Sequence, residues 1–106
     1  MKSIYSAVAF LLINSQVIIA QSGSLKGIVK DLENQVVIAG VSIQLPAEGK
    51  GSVTDESGSF LINSLLPGDY EMTVTCTGYN TEILRIAIED KKVAEVSVML
   101  KRAALQ

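Results

Sequence analysis

Residues 51–79 carry two turn signatures separated and followed by alternating apolar and polar positions, a pattern that only strands satisfy. Asp55-Glu56-Ser57-Gly58 is the first turn. Its Asp side chain bonds backbone two residues on, and its Gly adopts positive φ without steric cost. Pro67-Gly68-Asp69 is the second, with φ preset by Pro. Phe60 and Ile62 fall on one phase; Tyr70, Met72, Val74 and Cys76 share another, opposite Glu71, Thr73, Thr75 and Thr77. The local expectation is a strand–turn–strand–turn–strand meander, with Asp55 and Gly58 closing a hairpin.

The same period runs on in both directions. Strands are expected over residues 25–30, 41–45, 52–54, 60–65, 70–77, 83–88 and 93–100. Residues 31–35 form a turn cluster, 36–39 a short apolar run with a bulge at Gly40, 46–51 a loop and 89–92 a charged turn. Seven short strands with no helical period after residue 20 predict an all-β, seven-stranded antiparallel β-sandwich. A membrane barrel is rejected, because its strands run to about nine to eleven residues, come in even numbers and carry aromatic girdles. The shared core is expected to hold Phe60, Tyr70, Met72, Val74, Val96 and Val98, with Cys76 at its margin.

Residues 1–20 read as a secretory signal-peptide helix. Lys2 supplies the positive start, residues 4–13 the apolar run, and Ala20 the residue before the expected cleavage. The alternative is an uncleaved anchor, which the short, polar-interrupted run disfavours. No Cys follows the run, against a lipoprotein signal. Removal of Lys2 takes the net charge from −2 to −3. The expected organisation is a signal peptide at 1–20, one sandwich domain at 21–101 and a C-terminal tail at 102–106. A mature chain of this size forms one modest core.

The chain of 106 residues has no His, which removes the commonest general base and zinc ligand. Its one Cys cannot pair internally and lacks a neighbouring base. Basic residues form no stripe, so nucleic acid is not an expected partner. Asp55 and Glu56 are adjacent on a turn, too short a run for a calcium loop and ill placed for a carboxylate pair. No catalytic residue, metal or cofactor is expected, and the chain is not read as an enzyme.

Five motifs in order carry a resemblance: Gly27, Val29 and Asp31; Ala39, Gly40 and Val41; Gly51, Thr54, Asp55, Gly58 and Phe60; Leu66, Pro67, Gly68 and Tyr70; Gly78 and Tyr79. Together they resemble the carboxypeptidase regulatory-like domain, a transthyretin-like Greek-key sandwich, over roughly residues 24–100. In that family Gly27 suits close strand approach, and Tyr70 bonds upstream backbone as in a tyrosine corner. Such domains often follow the signal peptide of TonB-dependent outer-membrane receptors, including the SusC-like importers. The resemblance therefore implies a non-enzymatic accessory domain, periplasmic or outer-membrane associated, with the chain a truncated or partial receptor. Its expected partner is a protein of the cell envelope: the receptor plug and barrel, or an associated lipoprotein. The alternative is a free-standing exported module that binds carbohydrate or protein.

Sugar-binding sandwiches stack exposed aromatics on the ligand. Phe60 and Tyr70 read as core, so Tyr79 is the candidate ligand-binding residue: exposure beside a groove favours sugar binding, and burial removes it. Strand addition at a free sheet edge is the other route to a partner. The lysines of residues 25–30 are expected to guard such an edge if that strand lies there.

Overall fold

The structure, a computed structural model, describes residues 22–104, so the expected signal-peptide helix lies outside the described residues. Seven strands form: β1 (Gly23–Asp31), β2 (Ser42–Leu45), β3 (Lys50–Val53), β4 (Ser59–Leu65), β5 (Gly68–Thr75), β6 (Glu82–Ile88) and β7 (Val93–Leu100). They build a three-stranded sheet, ordered β4-β1-β7, and a four-stranded sheet, ordered β3-β2-β5-β6. The sandwich is as expected. Its one departure from antiparallel pairing is β1 with β7, which run parallel with Ser24 opposite Val93 and Asp31 opposite Leu100.

The alternating residues meet between the sheets. Leu25 and Val29 of β1, Ile43 and Leu45 of β2, Phe60 and Ile62 of β4, Met72 and Val74 of β5, and Val98 and Leu100 of β7 are all buried. Tyr70 is buried too, while Val96 and Cys76 pack against this cluster from its margin. Gly27 makes room for Phe60: a Cβ there would lie 2.5 Å from Phe60 Cζ and 2.7 Å from the Val96 carbonyl oxygen. The close approach expected of Gly27 is thus a ring packed beneath bare backbone.

The meander does not form. β3 lies in the larger sheet, β4 in the smaller and β5 in the larger again, so both turns are corners that carry the chain across the sandwich. Turn chemistry fixes a reversal locally, and core packing then decides which sheet the next strand joins. The first corner is held by Asp55, whose Oδ1 accepts the backbone N–H groups of Ser57 (2.9 Å) and Ser59 (3.0 Å). The second is held by Tyr70, whose hydroxyl donates to the carbonyl of Leu66, the corner bond expected of it.

Two strands shift against expectation. A 3-10 turn over Pro46–Glu48, ended by Gly49 at φ 64°, starts β3 at Lys50 rather than residue 52. Thr54 then leaves the ladder, with its hydroxyl accepting from Val41 N–H and donating to the Ile38 carbonyl. β5 ends at Thr75 because the Tyr79 N–H reaches back to the Cys76 carbonyl, and Gly78 takes φ 87°. Gly40, read as a bulge, takes φ 76° in the bend before β2.

β1 is the central strand of its sheet, so its lysines guard no edge. Lys26 sits on the outer face and pairs with Glu95 of β7 at 3.6 Å. The free edges belong to β4 and β7 in the small sheet and to β3 and β6 in the large one. One flank of the sandwich is therefore β3 with β4, the other β6 with β7.

Candidate functional site

The inward phase of β1 runs Leu25, Gly27, Val29, Asp31. Its last member is an acid with 2% of its surface exposed. Burial of an unpartnered carboxylate is costly, and four donors meet this one. Oδ1 accepts the N–H groups of Glu33 (2.8 Å) and Asn34 (3.3 Å), which closes the turn after β1. Oδ2 accepts the Tyr79 hydroxyl (2.8 Å) and the Arg102 Nε–H (2.9 Å). The Tyr79 bond is the strongest cause holding the Asp31 carboxyl well below the usual carboxylate range; burial opposes it, and Arg102 and the two amides add to it. The same bond, with burial, pushes the Tyr79 phenol up. Arg102 is raised by its contact with Asp31.

Backbone reinforces the cluster. Tyr79 and Arg102 form an antiparallel bridge; Asn80 N–H donates to the Lys101 carbonyl (2.8 Å) and Ala103 N–H to the Gly78 carbonyl (2.9 Å). The segment read as a tail is thus tied down through Ala103. In the sequence alone Asp31 falls in the turn cluster at residues 31–35 and Arg102 in the tail. An acid on the apolar phase of a strand was the signal that something must meet it.

Tyr79 is half-buried, packs against the core and spends its hydroxyl on Asp31. It does not line the larger concavity, an open groove of about 800 Å³ on the outer face of the small sheet. Residues 26–28, 59–61 and 95–97 form that groove's floor, and Ser52, Val53 and Asp55 form its wall. Leu61 and Val53 are its exposed apolar groups. Phe60 contributes to the floor, but its ring packs inward beneath Gly27, so the groove presents no aromatic face. Among the described residues, no group of three or more His, Cys, Asp or Glu side chains converges in a way that suits a metal ion.

A two-sheet sandwich whose buried acid is enclosed by its own framework defines a β-sandwich module. By its match over residues 25–106, the chain belongs to the CarboxypepD_reg-like domain family. No curated protein matches it. Among solved structures it is similar to GBS52, the minor pilin of Streptococcus agalactiae, at 22% identity and TM-score 0.66, covering 84% of this chain and 48% of the pilin. It is similar to a chain of a type II Cohesin-X-Dockerin complex from Acetivibrio cellulolyticus, at 22% identity and TM-score 0.58, covering 74% of this chain and 56% of the other. BcpA, the major pilin subunit of Bacillus cereus, is similar at 16% identity and TM-score 0.60, covering 78% of this chain and 31% of the pilin. These likenesses are of fold, and the chain spans about half or less of the two pilins.

Proposed function

We propose that the chain is a non-enzymatic accessory domain of the cell envelope, exported by residues 1–20, and that it serves as the N-terminal unit of a TonB-dependent outer-membrane receptor. The observation that carries this reading is the state of Asp31. The most deeply buried carboxylate among the described residues, Asp31, has both oxygens committed to framework donors and does not line the outer groove. A general acid or base needs a free lone pair or proton facing a substrate. The family match, to a regulatory-like domain, supports the accessory role.

Fractionation of cells expressing the tagged chain tests the export claim. Soluble periplasmic protein lacking residues 1–20 is the expected product. Cytoplasmic recovery with an intact N-terminus would sink it, and turnover of any substrate by the purified domain would sink the accessory role. A second reading, a free-standing protein-binding module, is favoured by the exposed Leu61 and Val53 of the outer groove. A plug-and-barrel reading frame beyond Gln106 supports the receptor; a stop codon there supports the free module.

A further inference from the structure

The two outer strands of the small sheet are finished differently. β4 turns the backbone groups of Ser59 and Leu61 to its free side, since Phe60 and Ile62 pair with β1. That side is capped towards both ends by side chains and corners, with Leu61 left open between them. Ser59 gives its N–H to the Asp55 carboxylate and its carbonyl to the Asp55 N–H. Lys50 donates its ammonium to the Ser64 carbonyl, and Ser64 itself is kinked out at φ 59° where the register slips.

Among the described residues, β7 carries no such protection. Ser24 N–H donates to the Lys92 carbonyl and Leu32 N–H to the Leu100 carbonyl. A parallel ladder with those ends uses the even-numbered residues of β7, so the N–H and C=O groups of Val93, Glu95, Ser97 and Met99 point away from β1. The same odd phase continues past the strand, where Lys101 and Ala103 pair with Asn80 and Gly78. The loop before β6 thus covers the edge as far as Lys101 and leaves the four odd residues bare. β7 contains no Pro and no Lys, and Glu95 is its one charge, so it lacks the usual edge guards. Beneath it the apolar seam is incompletely covered: Leu84 and Ile86 of β6 and Ala94 and Val96 of β7 are only half-buried.

We propose that this edge pairs with β7 of a second copy, antiparallel, about a two-fold axis at Val96. β7 is self-complementary in that register. Val93 faces Met99 of the second copy, and Glu95 faces Ser97, a carboxylate opposite a hydroxyl. On the inner face Val96 meets Val96 and Ala94 meets Val98, which covers the exposed seam. A slip of two residues one way sets Glu95 against Glu95, and like charges directly opposed are destabilising. A slip the other way sets Val93 against Lys101, whose carbonyl Asn80 already holds. The product is a continuous six-stranded sheet. A single strand edge buries less than the roughly 1,200 Å² of a standard interface, so the dimer is weak and concentration-dependent.

Light scattering on the purified exported chain across a concentration series is the test, with circular dichroism as the folding control. The wild type shifts from monomer to dimer as concentration rises. Ser97→Glu, on the exposed outer face, sets two pairs of like charges opposite one another and weakens the dimer about tenfold. The double variant Glu95→Lys/Ser97→Glu restores it, because the opposed charges are then unlike. A wild type that stays monomeric up to about millimolar concentration overturns the proposal. So does a dimer indifferent to Ser97→Glu, or a folded double variant that fails to recover.

Discussion

The two flanks of this sandwich solve one problem in opposite ways. On the β3/β4 flank, Asp55 and Lys50 reach across to bind backbone groups of β4, and Phe60 and Ile62 behind them are each 4% exposed. On the β6/β7 flank no side chain crosses to the backbone of β7 among the described bonds, and Val96 and Leu84 stay half-buried. An edge is closed by polar side chains placed on the corner beside it, not by the hydrophobicity of the strand. β7 is the more apolar of the two strands and yet the more open one; the difference lies in what the neighbouring turns supply.

The sharpest test of that contrast is truncation of one apolar side chain on each flank. Phe60→Ala is expected to cost about 3–5 kcal/mol, as large aromatic deletions in cores do. Val96→Ala is expected to cost about 1 kcal/mol, since its side chain is smaller and only partly buried. Urea unfolding of both variants reads the difference, and equal losses would mean that the two flanks are equally closed. Tyr70→Ala at the second corner belongs with the larger class, at roughly 3 kcal/mol. A loss under about 1 kcal/mol, typical of surface positions, would show that its ring does not pack as described.

The Asp31 cluster gives an effect of acid. Its carboxyl is depressed in the fold, so it contributes stability at pH values above the unfolded value of about 3.9 and loses it as pH falls below that. Asp31→Asn is expected to be destabilised at pH 7 and to approach the wild type at the lowest pH where both still fold. Denaturation midpoints measured at several pH values check this. A constant gap down to acid pH would contradict the ionic role.

The smallest expected effect is on the closed edge itself. Lys50→Ala should cost less than about 1 kcal/mol, as exposed charged contacts do, while raising amide exchange along β4. In dilute wild-type protein the amides of Val93, Glu95 and Ser97 should exchange faster than those of Ala94, Val96 and Val98. Uniform protection along β7 at low concentration would show that its outer side is already covered.

Much of the sandwich is legible in the residues. The period of two marks each strand, β7 at its observed bounds, and the core from Phe60 to Val98 follows from phase alone. What is not legible is long-range. Nothing in the Asp55–Gly58 turn says that β4 joins the other sheet, and nothing in residues 25–30 says that the strand lies in the middle, parallel to the last one. The cluster was half legible: Asp31 on an apolar phase demands a partner, but that the partners are Tyr79 and Arg102 depends on the closing of the whole fold.

The parallel pairing of β1 with β7 also sets an order of events. Asp31 and Arg102 are 71 positions apart, and the central strand of the small sheet waits for the last strand to arrive. Contacts at such separation are slow to form, because the loop entropy is spent before the contact repays it. A chain delivered from its N-terminus therefore holds Leu25 and Val29 without their final neighbours until residue 102 has emerged. Until then the Tyr79–Asp31–Arg102 bonds cannot all close.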